Sequence, residues 1–308
     1  MQYSSFRQWH DTRVWILILG AVDHIFAWSH QSFKKKQQHT QQHFTLHVDD
    51  STVLTSPPGM ERYYPPMIST PCEPLLSEII QPPNVEELYE WYCYTARTPD
   101  ADPSWAVVWP TAVTLINHLL TNPELVRNKR CVELGCGLGV VGLYAAALGA
   151  TSVALTDREP FSLHCAMSTA AVNNLQDRVQ AVVVDWTTPT AALQANVVLA
   201  SDVLYDPTSI HAFARTCQTM AASKPDDGAL LLLLTDPQQE RYAGARDMLQ
   251  KALHASRDNF VVTPLELALI DDGKQTPSTP DGKDHARRMR EPTVLIQCKI
   301  LAEYKPVG

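Results

Sequence analysis

Apolar and polar positions alternate in blocks along residues 131–301, and the blocks predict the fold. Short runs that are apolar throughout, such as "CVEL", "SVALT", "VQAVVVD", "NVVLAS" and "ALLLLLTD", are typical of buried strands. Between them lie longer segments with helical spacing, such as "FSLHCAMSTAAVNNL" and "SIHAFARTCQTMAA". Strands without polar faces are covered on both sides, so the pattern predicts a doubly wound α/β domain with a mostly parallel sheet.

The region before residue 131 follows a different pattern. Two helical segments, "NVEELYEWYCYTAR" and "TAVTLINHLL", precede the first strand, and Asn84 is a plausible N-cap for the first of them. Eight prolines punctuate residues 56–83, which predicts an extended lead-in rather than packed structure. We therefore expect a flexible or targeting N-terminal extension over residues 1–83, partly helical or irregular, and a folded domain over residues 84–308.

The apolar segment Arg13–Trp28 raises the question of membrane insertion. Asp23 and His24 interrupt it before it reaches the roughly 20 residues that a spanning helix requires. We expect no stable membrane insertion and a cytoplasmic protein. Because arginines precede the apolar run, import into an organelle, a mitochondrion or a plastid, is the alternative.

Charge and cysteine content narrow the class of protein. A net charge of −8 and an isoelectric point near 5.7 argue against nucleic acid as the main partner, since phosphate binding requires a concentrated basic surface. The seven cysteines form no CxxC pair and are odd in number, so neither a zinc site nor a disulfide framework is expected. His39, His43 and His47 are spaced four apart, but a solvated tail explains them better than a metal site. We expect a monomer without a metal.

The glycines of "ELGCGLGVVG" fit two registers. Gly137, Gly139 and Gly142 satisfy the dinucleotide pattern GxGxxG, and Asp157 ends the next strand as a ribose-binding acid would. This register predicts an enzyme that binds NAD. A third interpretation is a strand-to-helix turn without a ligand.

The competing register starts earlier, with an acid followed by three alternating glycines: Glu133, Gly135, Gly137 and Gly139, with Cys136 between the first two glycines. Glycine there lets the chain turn sharply and lets a ligand lie against bare backbone. In this register we expect a branched residue at position 137 to abolish ligand binding with little effect on folding.

The ends of the later strands carry further polar and aromatic residues. Asp185 and Trp186 follow the third strand, and they suit the amino group and the face of an adenine. Ser201, Asp202 and Tyr205 follow the fourth, where a reacting group would meet a cofactor. Each has a structural alternative: Trp186 as a core aromatic, Tyr205 as an edge residue, Asp202 as the N-cap of the next helix.

Together, "WPTA", "ELGCGLGVVG", "DW" and "SDVLYD" resemble the seven-strand S-adenosylmethionine methyltransferases, and within them the non-SET protein-lysine methyltransferases. The resemblance covers residues from about 105 to 301. The glycine motif is shared by all methyltransferases of this fold, whereas the "WP" and "DxxY" pair is more specific. In that family "DxxY", here Asp202 to Tyr205, is the hallmark, and the "WP" helix closes over the cofactor.

The resemblance implies a Rossmann-like sheet of seven strands and S-adenosyl-L-methionine as cofactor. It implies a lysine of a protein substrate as acceptor; a small molecule or another protein side chain is the alternative, ahead of an NAD-dependent oxidoreductase or an inactive cofactor-binding domain. Asp202 and Tyr205 would be catalytic, with Asp202 as an orienting group because a carboxylate beside an ammonium raises the lysine pKa. The expected cofactor-binding residues are Trp109, Glu133, Gly135, Cys136, Gly137, Gly139, Asp157, Asp185, Trp186 and Ser201.

Overall fold

Strands and helices alternate from residue 130 onward in the computed structural model, which describes residues 65, 67–188, 193–223, 228–255, 260–270 and 292–302. These residues lie in one compact unit. Their strands are β1 (Ile68–Pro71), β2 (Glu78–Gln81), β3 (Arg130–Leu134), β4 (Ser152–Asp157), β5 (Val179–Val183), β6 (Val197–Ser201), β7 (Leu230–Pro237), β8 (Phe260–Val262), β9 (Glu266–Ile270) and β10 (Thr293–Ala302). Their α-helices are α1 (Val85–Glu90), α2 (Pro110–Thr121), α3 (Val140–Ala147), α4 (Pro160–Val172), α5 (Pro207–Ala222) and α6 (Ala245–His254). A π-helical turn follows α1 at Trp91–Ala96, and 3₁₀ turns span Pro103–Ala106 and Pro123–Leu125.

The central sheet has the order β5-β4-β3-β6-β7-β10-β8. Neighbours from β5 to β7 are parallel, and β10 is antiparallel to β7. β8 pairs with residues 300–302 of β10, and β9 pairs with residues 293–297 of the same strand. The two short strands thus share one position beside β10, so the sheet has eight strands in seven positions. The predicted doubly wound, mostly parallel α/β fold is confirmed.

Hydrophobic side chains fill both faces of this sheet. In β3, Cys131 belongs to the core on one face, while Val132 and Leu134 belong to the core on the other. Helices α2, α3 and α4 cover the first face, and α5 and α6 cover the second. This two-sided burial explains why the strand segments lack polar positions. The strand order reverses between β3 and β6, where doubly wound folds bind their ligands beyond the carboxyl ends of the strands.

A hairpin of β1 and β2 precedes the predicted domain boundary at residue 84. Leu76, Ile79 and Ile80 are buried, and the Ile80 N–H donates to Thr169 Oγ1 in α4 at 2.9 Å. The prediction of an extended lead-in over residues 56–83 is therefore wrong for residues 68–81. The prolines stay compatible with the hairpin because proline is tolerated at strand ends and in turns.

Most of the predicted N-terminal extension, including Arg13–Trp28 and the three spaced histidines, lies outside the described residues. Within the described ranges, no helix combines the length and the hydropathy that a bilayer crossing requires.

Candidate active site

The turn after β3 holds three residues in the left-handed region. Gly135, Gly137 and Gly139 have φ of 67°, 50° and 70°, which favours glycine. Asp157, at the end of β4, braces this turn: its Oδ2 accepts from the Gly137 N–H at 2.9 Å, and its Oδ1 accepts from the Glu159 N–H at 3.0 Å. Burial raises the pKa of Asp157, and both bonds lower it. The ends of β3 and β4 are thus joined by a carboxylate and two backbone amides.

Glu133 lies beneath the turn rather than facing the site. It is 2% exposed, and its Oε2 accepts from the Gly142 N–H, in the first turn of α3, at 2.8 Å. Burial raises the pKa of this carboxyl to about 8; the Gly142 bond opposes the rise and the charge of Asp157 adds to it. A dinucleotide pyrophosphate would need amides at this helix N-terminus. Since Glu133 already accepts from one of them, the geometry disfavours the NAD register.

Trp186 connects the end of β5 to the same turn. A Cβ added at Gly135 would lie 3.2 Å from Trp186 Cζ2 and 3.1 Å from Val203 Cγ1, so the indole lies against bare backbone. The ring also meets Phe213 of α5 edge to face, with centroids 5.2 Å apart. Asp185 Oδ1 accepts from the Thr187 N–H at 2.9 Å and from its hydroxyl at 2.7 Å. The indole expected to hold an adenine therefore lies next to the glycine turn, and the Asp185 carboxylate before it is bonded to Thr187.

The chain before α2 closes on the turn from the other side. A Cβ added at Gly137 would lie 2.9 Å from the Trp105 carbonyl oxygen, and Trp105 Nε1 donates to the Tyr92 hydroxyl at 3.0 Å. A branched residue at position 137 would therefore strain the left-handed backbone and displace the Pro103–Ala106 turn. These two observations argue against the expectation that the substitution spares folding, and we now expect a loss of stability as well.

Asp202 adopts the left-handed conformation after β6, with φ 53°, and its N–H donates to the Thr235 carbonyl of β7 at 2.9 Å. Its buried carboxylate pairs with Arg241, whose Nε lies 2.6 Å from Oδ1 and whose Nη2 lies 2.5 Å from Oδ2. The guanidinium is also 5.0 Å from the centroid of the Trp109 ring. Trp109, Arg241 and Asp202 thus form a layered group beside the glycine turn.

The N-cap of α5 is Asp206, not Asp202. Asp206 Oδ1 accepts from the Thr208 N–H at 2.9 Å, which satisfies one amide of the first helical turn. The structural alternative for Asp202 as a helix cap is therefore wrong. Asp202 uses its carboxylate for an ion pair, which the sequence-based reasoning missed.

Tyr205 faces a different group of charges. Its side chain is half exposed; partial burial raises the pKa of the phenol, the charge of Arg158 lowers it, and Asp102 and Asp157 raise it further. Tyr205 is therefore within electrostatic range of Asp157 at the end of β4, whereas the carboxylate of Asp202 is paired with Arg241.

The remaining expected site residues are Cys136 and Ser201. Cys136 is buried, and its N–H donates to the Thr156 carbonyl at 2.9 Å. Ser201 ends β6 and is in register with Thr235 of β7. Across the described ranges, His, Cys, Asp and Glu side chains form no group of three that could hold a metal ion.

Residues 100–243 match a family model described as lysine methyltransferase. The chain is similar to the electron transfer flavoprotein beta subunit lysine methyltransferase of Danio rerio, at 30% identity over 39% of this chain and 46% of that protein. It is also similar to the protein N-lysine methyltransferase METTL21A of Danio rerio, at 34% identity over 38% and 56%, and to the histone-arginine methyltransferase METTL23 of Rattus norvegicus, at 30% identity over 38% and 54%. The chain thus spans about half the length of these relatives. The matches confirm the resemblance that the motifs indicated.

Proposed function

We propose that this protein transfers a methyl group from S-adenosylmethionine to a lysine side chain of a protein substrate. The premise is that residues 100–243 match the lysine methyltransferase family model. The observation that carries the proposal is the turn after β3, where bare glycine backbone is braced by Asp157 and faced by Trp186. Within a segment that matches this family, that arrangement supports a nucleoside site better than a pyrophosphate site.

The residues present fit the cofactor. Gly135 and Gly137 have left-handed backbone, and a side chain at either would collide with Trp186 or Trp105, so glycine keeps the turn compact beside the ring that would hold the adenine. Asp157 would accept from ribose hydroxyls with the lone pairs that its two backbone bonds leave. Asp185 and Trp186 would hold the adenine. Glu133, being buried, supports the turn through Gly142 instead of contacting the ligand.

When bound, S-adenosylmethionine would supply an electrophilic methyl group that a neutral amine displaces from the sulfonium, leaving a neutral thioether. The chain therefore contributes mainly positioning and electrostatics. Asp202 would accept a hydrogen bond from the acceptor amine and so orient its lone pair. Deprotonation of a lysine with a pKa of about 10.4 costs about 4 kcal/mol at pH 7.4. The site must offset part of this cost.

Methyl-labelled cofactor added to a cell extract with the full chain tests the proposal. We expect label on a lysine of one or a few proteins, identified by mass spectrometry, and about 100-fold slower but measurable labelling with Asp202→Asn at equal cofactor affinity. The electron transfer flavoprotein beta subunit is the first purified acceptor to add, since one similar protein is named a lysine methyltransferase of that subunit. Label confined to small molecules would contradict the proposal.

An arginine acceptor is the second candidate, because one relative is named a histone-arginine methyltransferase. Mass spectrometry of the labelled residue separates the two side chains directly. Calorimetry decides the cofactor: binding of NAD with no response to S-adenosylhomocysteine would overturn the assignment. The predicted monomeric state and the cytoplasmic or organellar location stay predictions, which size-exclusion chromatography and imaging of the tagged full chain would check.

A further inference from the structure

The loop after β7 carries Arg241 back toward the strand ends. The side chain of Arg241 is 15% exposed and that of Asp202 is 4% exposed, so this ion pair is largely removed from water. Both guanidinium contacts run to separate carboxylate oxygens, the bidentate geometry that gives arginine pairs their directionality. Trp109 stacks on the guanidinium, which ties the beginning of α2 to the same group.

A second ion pair fixes the loop that carries Arg241. Arg246 contacts Asp236 Oδ2 through Nε at 2.9 Å and through Nη2 at 2.8 Å. Glu240 accepts from the Gly244 N–H at 2.8 Å and from the Arg246 N–H at 2.9 Å. Arg241 therefore projects from a loop held at both ends, and its position does not depend on its own pair alone.

An unpaired carboxylate at position 202 would work against methyl transfer to an amine. It would favour the ammonium form and raise the pKa of the acceptor, whereas the reaction needs the neutral amine. A guanidinium on the same carboxylate leaves an oxygen lone pair for a hydrogen bond but offsets the negative charge. The Asp202–Arg241 pair can therefore orient the amine while its net charge stays close to zero.

We propose that Arg241 is a positioning residue that fixes Asp202 and the Trp109 ring and offsets the Asp202 charge, so that the acceptor lysine gives up its proton more readily. This inference rests on the proposed function, because it concerns the acceptor of that reaction. Arg241 acts through Asp202 and needs no contact with the methyl group.

Several other ionisable groups share this part of the site, and each needs a control. Arg246 is engaged by Asp236 and Glu240, and burial raises the pKa of Asp236 to about 6, with Arg246 lowering it and Asp202 raising it. Tyr205 and Asp206 follow Asp202 on the same turn, and the charges of Asp102, Asp157 and Arg158 act on the Tyr205 phenol. Replacement of Arg246 is the matched control, since it breaks a similar ion pair in the same loop without releasing Asp202.

The test is the pH dependence of kcat from pH 6 to pH 10, with labelled cofactor and the purified protein that the wild-type enzyme labels, both saturating. We expect Arg241→Gln to move the acidic limb upward by about one pH unit or more, the usual effect of changing one charge close to an amine. The rate should fall about tenfold near pH 7 and recover as the pH rises. Arg241→Lys should return the acidic limb of the kcat profile most of the way to its wild-type pH. In both variants the affinity for S-adenosylhomocysteine should stay within about twofold of the wild type.

Arg246→Gln should lower the melting temperature like Arg241→Gln and leave the limb in place. The double variant Asp202→Asn with Arg241→Gln removes both charges, so it avoids a buried unpaired carboxylate and its limb should return toward the wild-type position. A uniform rate loss at every pH in Arg241→Gln, with an unshifted limb, would reduce Arg241 to a structural role and overturn the inference. Failure of the wild-type enzyme to label any lysine would instead refute the proposed function.

Discussion

Replacing Glu133 with Gln tests the electrostatics of the glycine turn. The carboxyl is buried, accepts from the Gly142 N–H, and has its pKa raised from 4.5 to about 8. Since the pKa is higher in the folded protein than in the unfolded chain, the folded state holds the proton more tightly. The contribution of the protonated Glu133 carboxyl to the free energy of unfolding is therefore full below about pH 4.5. It is lost as the pH rises through about 8.

The magnitude follows from the two pKa values. Between them the free energy of unfolding falls by up to about 1.36 kcal/mol per pH unit, so the carboxyl should cost the wild type about 2 kcal/mol between pH 6 and pH 8. Glutamine has nearly the same shape and its amide oxygen can accept from Gly142, but it does not titrate. Glu133→Gln should therefore gain about 2 kcal/mol relative to wild type over that interval.

Urea unfolding followed by far-UV circular dichroism at pH 6, 7 and 8 measures this difference, and subtracting the two proteins cancels the titration of all other groups. Glu86→Gln, at an exposed position of α1, controls for the substitution itself. A difference that stays constant from pH 6 to pH 8 would show that the carboxyl ionises normally and that a carboxylate holds the turn.

Three further variants probe the rest of the site. Asp157→Asn places an amide N–H₂ against one of two backbone N–H groups, so affinity for S-adenosylhomocysteine should fall about 10- to 100-fold in calorimetry; an unchanged affinity would place the ribose elsewhere. Trp186→Ala removes the ring against the glycine turn and should weaken the same binding by about 3- to 10-fold with the fold retained, whereas equal affinity would refute the adenine contact. Asp206→Ala removes the α5 cap and should cost about 1 kcal/mol of stability while single-turnover chemistry per folded molecule is kept; a rate loss as large as that of Asp202→Asn would contradict the cap assignment.

The sheet could be predicted from the sequence because its signal is local. Each strand of the parallel part is apolar over its whole length, and each crossover has helical spacing, so neighbouring residues carry the information. The strand-end rule then placed the glycine turn, Asp157 and Trp186 at one edge before any contact was known. Their observed contacts at the ends of β3, β4 and β5 follow from that rule.

The missed features depend on contacts between distant parts of the chain. The hairpin of β1 and β2 is held by Thr169 and Asn173 of the α4 region, more than 80 residues away, and its own sequence shows mainly prolines. Arg241 lies 39 residues from Asp202 in a polar stretch, "QQER", that is typical of a surface loop. Its one local signal was its place just after a buried strand, where the other site residues also lie.

Backbone amides form one side of the site and long side chains form the other, and this difference suggests how an acceptor would be selected. On the side proposed for the cofactor, backbone amides of the β3 turn and of α3 meet two acids, Asp157 and Glu133, so that side depends on a short motif. On the side proposed for the acceptor, side chains from the start of α2, the turn after β6 and the loop after β7 meet through an ion pair and a ring. Loops and side-chain pairs can change without altering the sheet. Under the proposed function, we therefore assign selection among acceptors to the turn after β6 and the loop at residues 238–244, and cofactor binding to the glycine turn.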